Sequence, residues 1–221
     1  MRLVGEGPPT TLSYVTQSAD NRGVKSVCVL QNGQLVTGGE GFIEIRDRNL
    51  SVIKSVDIKG LAVCIRRYVT TDGSLAVGVY NKPNLVVSVY SSELKFVRKL
   101  VEVKTGSGAC QFDLSSSFIA VASDSPKCLK LFSADCRHLS DIQLSGMSYP
   151  RGVCITADQQ FVLVSDWRGL VRKYQLAGDH KLMWECQGLI WPTGITESEL
   201  GEFYVSSGDE AEIYQLSDKG K

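Results

Sequence analysis

The sequence predicts an all-β fold, a β-propeller of about five four-stranded blades. Three observations predict it: short apolar strands recur along the chain, they recur about every forty residues, and no long segment has apolar residues at helical spacing. The 221 residues include 24 basic and 24 acidic side chains, and 43% are hydrophobic, which is ample for a packed core. The zero net charge argues against nucleic-acid binding by bulk charge, because that mode needs a basic excess.

The repeat is clearest in the second strand of each unit, where one apolar residue serves as an anchor. The anchors are spaced by 40, 43, 43 and 42 residues and are Leu35, Leu75, Phe118, Phe161 and Phe203. Turn residues such as Asn32-Gly33 and Asp72-Gly73 come just before them, and both pairs tolerate the positive φ of a tight hairpin. The anchors therefore predict repeated β-hairpins.

The third strand of each unit gives a second, independent anchor. These residues are spaced by 44, 42, 42 and 40 and are Ile45, Val89, Leu131, Lys173 and Ile213. Lys173 is a poor match, since the interior position of a strand should be apolar. Two anchors with one period indicate a true repeat, and because one such unit cannot bury both of its faces, the units must stack on one another.

The predicted domains are an N-terminal segment, residues 1–20, and a propeller formed by residues 21–221. The fifth unit ends after three strands, so a complete blade needs an outer strand from elsewhere in the chain. Residues 11–16 have β composition and are the predicted donor of that strand. The alternative is a propeller with one blade outside this sequence, in which residues 1–20 end a preceding region.

The fourth unit carries the most specific motif. It begins with Pro150-Arg151-Gly152, continues through an apolar strand, and its second strand ends at Asp166. This resembles the NHL repeat, in which Pro-x-Gly opens the first strand and Asp follows the second. The start of the fifth unit, Pro192-Thr193-Gly194, repeats the motif in part, so the signature covers about the last third of the chain.

The residues of the motif have physical roles. Pro stiffens the start of the strand, Gly lets that strand approach the crowded axis of the ring, and Asp166 is expected to cap the following turn. The length of the repeat is also typical of a WD40 propeller, but the chain has no Gly-His or Trp-Asp pair. The NHL resemblance implies six blades as the common number, so an incomplete six-bladed propeller stays open beside a ring of five.

The same resemblance implies a function. NHL propellers often form the C-terminal domain of tripartite-motif proteins, behind RING, B-box and coiled-coil segments. This implies substrate recognition for a ubiquitin ligase, or RNA binding in some members. This chain contains neither a RING nor a coiled coil, so any ligase activity would lie outside it. We expect a non-catalytic recognition module, not an enzyme, that requires no cofactor.

Aromatic and basic residues alternate in the loops that the repeat places on one face. The predicted binding residues are Arg22, Tyr80, Lys82, Lys127, Tyr149, Arg151, Trp167, Arg168 and Trp191. Such a surface suits a protein partner, which is the first hypothesis, and stacking on single-stranded RNA, which is the second. Acidic residues on the same face weigh against RNA and are Glu40, Asp124, Asp166, Asp209 and Glu210. Tyr149 and Trp191 are equally well explained by packing between blades.

Few residues suggest catalysis or metal binding. His138 and His180 flank predicted outer strands, and no motif of a nucleophile or zinc site occurs. A metal-dependent propeller hydrolase using Asp113 and Glu197 is the third alternative, and no metal is expected. Seven cysteines without a Cys-x-x-Cys pair predict reduced core thiols and a cytoplasmic protein. No membrane span or signal peptide is predicted.

Overall fold

The structure is a computed structural model that describes residues 2–4, 23–30, 32–68, 73–106, 110–208 and 212–217. All regular structure in these ranges is β-strand, which confirms the all-β prediction. The described residues accordingly contain no helix of a length and hydropathy that could cross a membrane. The chain divides into two units, one formed by Tyr14–Ala109 and the other by Met1–Ser13 with Cys110–Lys221. The short strand β1 (Arg2–Val4) belongs to the second unit.

The Tyr14–Ala109 unit contains one sheet of six antiparallel strands in chain order. Its strands are β2 (Val24–Val29), β3 (Leu35–Arg46), β4 (Val52–Arg67), β5 (Leu75–Asn81), β6 (Asn84–Tyr90) and β7 (Phe96–Lys104). The first part of β3 pairs with β2, and its second part pairs with the first part of β4. The second part of β4 then pairs with β5.

The second unit contains three four-stranded sheets. The first has β8 (Phe112–Leu114), β9 (Phe118–Asp124), β10 (Lys127–Ser133) and β11 (His138–Gln143). The next has β12 (Pro150–Ile155), β13 (Phe161–Asp166), β14 (Leu170–Gln175) and β15 (Leu182–Gln187). The last has β16 (Pro192–Glu197), β17 (Phe203–Ser207) and β18 (Glu212–Leu216), beside which β1 runs parallel.

The described residues thus form four sheets, and the prediction of about five separate blades, or of an incomplete set of six, is wrong for this structure. The first two predicted units share one sheet because β4 runs without a break from the outer strand of one into the first strand of the next. Gly60 lies between the two parts with φ of 118°, and a Cβ there would lie 2.7 Å from the carbonyl oxygen of Tyr80. The predicted outer strand at residues 11–16 lies outside the described residues.

The turns preserve the repeat in the backbone. Four non-glycine residues with positive φ each lie two residues before the outer strand of a repeat, and they are Leu50, Leu94, Cys136 and His180. Their spacings, 44, 42 and 44, match the period found in the sequence. The same backbone turn therefore closes the third hairpin of successive repeats.

Lys173, the poor match among the anchors, is buried in the second unit. Its ammonium nitrogen lies 4.3 Å from the ring centroid of Phe161 and 5.3 Å from that of Phe203. Cation–π attraction compensates part of the cost of removing the ammonium from water. Lys173 therefore occupies a buried anchor position of the repeat although it is charged.

Candidate functional site

Five of the nine predicted binding residues meet at one edge of the second unit. Trp167 lies at the centre, and its ring centroid is 6.2 Å from that of Tyr149 and 6.2 Å from that of Trp191. The Arg151 guanidinium carbon lies 6.0 Å from the Trp167 ring centroid, and that of Arg168 lies 5.4 Å from the Tyr149 ring centroid. We call these five residues the aromatic–arginine cluster.

The three rings of the cluster contact one another and are also open to solvent. Tyr149 and Trp167 are each 39% exposed and Trp191 is 42% exposed. Neighbouring exposed aromatic side chains of this size are typical of interaction sites. Tyr149 and Trp191 therefore pack against Trp167 and also present exposed surface that is available to a partner, so both explanations of these side chains hold in part.

Neither arginine of the cluster forms an ion pair with a carboxylate of the described residues. Asp166 is the last residue of β13 and lies beside them, but its carboxylate is buried and accepts hydrogen bonds from the backbone. Its Oδ2 accepts hydrogen bonds from the backbone N–H groups of Ser148 and Tyr149, and its Oδ1 accepts one from Arg168 at 2.8 Å. The guanidinium groups are thus left to interact with rings and solvent.

Asp166 also positions the cluster. The hydrogen bond from the Arg168 N–H confirms the predicted cap of the β13–β14 turn. The bonds from Ser148 and Tyr149 were not predicted, and they fasten the loop before β12 to the same turn. One carboxylate thereby holds Tyr149 beside Trp167.

Glycine allows this turn to contact the segment before β16. Gly169 has φ of 95°, and a Cβ there would lie 2.5 Å from the carbonyl oxygen of Leu189. The Leu189 N–H donates to the Gly169 carbonyl at 3.3 Å, and the Gly208 N–H donates to the Trp191 carbonyl at 2.8 Å. These contacts bring Trp191 to Trp167.

The backbone of Trp191 is unusual. Its φ is 40°, a value that bulky residues rarely adopt. Unlike the positive-φ residues before the outer strands, Trp191 directly precedes β16, the first strand of its repeat. Such a conformation costs on the order of 1 kcal/mol.

The Pro-x-Gly motif brings two neighbouring sheets together below the cluster. A Cβ on Gly152 would lie 2.2 Å from the carbonyl oxygen of Thr193, so this position requires glycine. The Gly152 N–H donates to Ser165 Oγ at 2.9 Å, and that hydroxyl donates to the Thr193 carbonyl at 2.9 Å. The glycine of the motif thus allows a close approach to the backbone of the neighbouring sheet.

Three of the other predicted binding residues, Tyr80, Lys82 and Lys127, are not part of the cluster. Tyr80 and Lys82 belong to the other unit, where the Tyr80 hydroxyl donates to the Gly106 carbonyl at 2.9 Å and Lys82 is exposed. Lys127 is exposed at the start of β10. Arg22, Asp209 and Glu210 lie outside the described residues.

The two candidate metal ligands hold the backbone of a neighbouring sheet. Asp113 Oδ2 accepts a hydrogen bond from the Ile155 N–H at 2.8 Å, and Glu197 Oε2 accepts one from the Ala157 N–H at 2.6 Å. No group of three potential metal-ligating side chains occurs among the residues that the structure describes. Asp113 and Glu197 therefore have a structural role between sheets.

The histidines and cysteines lie outside the cluster. His138 Nε2 is 2.8 Å from Asp141 Oδ1, and His180 Nε2 is 2.9 Å from Ser140 Oγ. All seven cysteines are free thiols. Burial raises the pKa of the Cys110 thiol to about 12, and the charge of Asp124 adds to the increase.

No family model and no curated protein matches this chain. Solved structures match it over most of its length at low identity. A protein of unknown function from Bacteroides caccae is 12% identical with a TM-score of 0.72, and the match covers 90% of this chain and 79% of that one. The WD40 β-propeller domain of Doa1 is 15% identical with a TM-score of 0.62, covering 86% of this chain and 67% of that one. The fold is a β-propeller.

A third match bears on catalysis. A catalytically inactive virginiamycin B lyase from Staphylococcus aureus, solved with quinupristin, is 10% identical with a TM-score of 0.68, and the match covers 94% of this propeller and 71% of that chain. The prediction that the chain is not an enzyme is contradicted by this finding, because a lyase has the same fold. At 10% identity the likeness shows the fold alone and transfers no reaction to this propeller.

The sequence predicted the members of the cluster but not their contacts. Tyr149 and Trp191 both directly precede the Pro of a Pro-x-Gly motif, and they are 42 residues apart, one period. Equivalent positions in consecutive sheets lie side by side, so this spacing was a usable signal for their proximity. No sequence pattern indicated the positive φ of Trp191 or the bond from Ser148 to Asp166.

Proposed function

We propose that the aromatic–arginine cluster binds a protein partner. The observation that carries this proposal is the contact of three exposed rings, Tyr149, Trp167 and Trp191, beside two arginines without a described carboxylate partner. Trp, Tyr and Arg are the residues that most often dominate the binding energy of protein interfaces. The β-propeller fold is itself commonly a protein-interaction module.

The finer identity of the protein is part of the proposal. Gly152 and Asp166 occupy the Gly and Asp positions of the NHL motif, and there Gly152 allows a close backbone approach and Asp166 caps a turn. This supports an NHL-type propeller that recognises substrates for a ubiquitin ligase of the tripartite-motif class in the cytoplasm. RNA binding is the second candidate function, since exposed rings beside arginines also suit unpaired bases.

Site-specific photo-cross-linking in cells tests this proposal. Trp167 is replaced by a benzophenone amino acid, and Phe96, which is 61% exposed on β7, is replaced in a matched control. We expect a discrete protein adduct with the probe at position 167 and none of the same mass at position 96. In the same cells Trp191→Ala should remove most of the adduct, because truncating an anchor residue typically costs about 2 kcal/mol of binding.

Treatment with ribonuclease separates the two candidate functions. An adduct that survives ribonuclease supports a protein partner, and an adduct that disappears with ribonuclease supports RNA. Equal adducts at positions 96 and 167, or an adduct that is insensitive to Trp191→Ala, would contradict a role for the cluster.

A further inference from the structure

We infer that the segment bound by the aromatic–arginine cluster is an acidic peptide with an apolar side chain among its anionic ones, an inference that rests on the proposed function. The apolar side chain packs against Trp167 and Trp191, and the anionic groups pair with Arg151 and Arg168. Carboxylates and phosphorylated side chains share the required chemistry, because both accept two parallel hydrogen bonds from a guanidinium.

The charge of the cluster favours an anionic ligand. The guanidinium groups of Arg151 and Arg168 form no ion pair within the described part of the chain. Asp166, the acidic residue between them in sequence, is 1% exposed, and its oxygens accept three backbone hydrogen bonds. Two positive charges therefore lie beside an apolar surface, and no carboxylate of the described residues pairs with either of them.

The two arginine side chains are held against aromatic rings before any ligand binds. Each guanidinium lies over a ring, Arg151 over Trp167 and Arg168 over Tyr149. These cation–π contacts restrict the arginine side chains before a ligand binds. Less conformational entropy is then lost when an anionic group binds.

The positions of the arginines and rings favour a peptide over RNA. Sequence-tolerant binding of single strands needs ring faces on which successive bases can stack. Here guanidinium groups are placed over Trp167 and Tyr149, and the planes of Trp167 and Trp191 are inclined by 38°. An apolar side chain fits beside inclined rings, whereas a stacked base needs a parallel plane.

Fluorescence anisotropy with four labelled probes tests the inference on the full chain. The first probe is a short peptide of glutamates around one phenylalanine, and the second replaces every glutamate with glutamine. The third carries phosphoserine in place of the glutamates, and the fourth is oligouridylate. We expect the glutamate and phosphoserine peptides to bind at least about tenfold more tightly than the glutamine peptide.

The variants are Arg151→Gln and Arg168→Gln, and Lys181→Gln is the matched control. Lys181 is an exposed cation of the same unit at the opposite end of its sheet, next to the β14–β15 turn. Each arginine variant should weaken binding of the glutamate peptide about tenfold, and the lysine variant should leave it within about twofold. The thermal unfolding midpoint of each variant shows whether it is folded.

Each outcome decides the inference. Equal affinity for the glutamate and glutamine peptides, tighter binding of oligouridylate, or equal losses in the arginine and lysine variants would overturn it. So would the absence of measurable binding of the acidic peptides. None of these results removes a protein adduct at position 167, so failure of the acidic-peptide inference is distinguishable from failure of the proposed function.

Discussion

Two equivalent turns of the second unit are used in different ways. Asp124 ends β9 and Asp166 ends β13, and the two residues are 42 positions apart. After Asp166 come Trp167 and Arg168, which belong to the aromatic–arginine cluster. After Asp124 comes Ser125-Pro126, and no aromatic side chain follows.

The carboxylates of the two turns also act on different groups. Asp166 accepts hydrogen bonds from the backbone of both the turn and the loop before β12. The charge of Asp124 acts on the buried Cys110 and adds to the increase in its pKa that burial causes. The repeat therefore specifies the hairpin, while the residues inside the turn decide whether it presents a binding surface.

The largest effect is expected at the turn that carries the cluster. Asp166→Ala removes the acceptor of three backbone N–H groups, two of which belong to the loop before β12. Buried donors left without partners are costly, so the free energy of unfolding should fall by about 3 kcal/mol. Urea denaturation followed by tryptophan fluorescence measures this change.

The control for this prediction is Asp179→Ala. Asp179 is exposed in the β14–β15 turn, and its loss should change the free energy of unfolding by less than about 0.5 kcal/mol. If the two variants lose similar stability, the carboxylate of Asp166 does not hold the turn and the loop together. The contrast between the turns would then depend on Trp167 and Arg168 alone.

The fold was predictable where local chemistry repeats. The anchors and turn pairs predicted hairpins at the observed places, because strand period and turn chemistry are local properties of the chain. The number of sheets was not predictable in this way. Pairing of β4 on both of its parts depends on contacts along a continuous strand, and no local pattern marks whether a strand ends between two repeats.

The residue types of the candidate site were predictable from the sequence. Which of the predicted residues belong to the aromatic–arginine cluster was only partly predictable. Trp167, Arg168 and the residues beside Pro150 and Pro192 were found because turns and strand starts are exposed and aromatic residues there are conspicuous. Lys127 met the same criterion but is not part of the cluster. A residue belongs to the cluster only if a neighbouring sheet places an aromatic ring beside it, and the tertiary structure determines this placement.

A second prediction concerns Asp124, in the other turn. It is tested by the pH dependence of the free energy of unfolding. The pKa of the Cys110 thiol rises from 9.0 to about 12 in the folded state, mainly through burial. Above pH 9 the unfolded chain loses this proton while the folded chain keeps it, so stability falls as pH rises from 9 towards 12. The loss is about 1.4 kcal/mol for each pH unit in that range.

The variant Cys110→Ala should lack this part of the alkaline loss, and Cys136→Ala, in the turn before β11, should keep it. Asp124→Asn should also reduce the loss near pH 12, because the neighbouring charge no longer opposes the thiolate. Free energies of unfolding at pH 8 and pH 10 measure the effect of Cys110→Ala, and values at pH 11 and pH 12 measure the effect of Asp124→Asn. If the loss between pH 8 and pH 10 is the same in Cys110→Ala as in the wild type, the Cys110 thiol does not contribute to it.

The smallest effect tests whether the cluster stores backbone strain. Trp191 has φ of 40°, whereas Trp167 does not have a positive φ. Glycine adopts positive φ freely and alanine does not, so Trp191→Gly should be more stable to unfolding than Trp191→Ala by about 1 kcal/mol. At Trp167 the order should not be reversed, because alanine loses less backbone entropy than glycine on folding. Comparing glycine with alanine at each position cancels the loss of the indole ring, so a reversed order at Trp191 alone isolates its backbone. The same order at both positions would mean that Trp191 is unstrained and that the ring contact with Trp167 alone determines its place in the cluster.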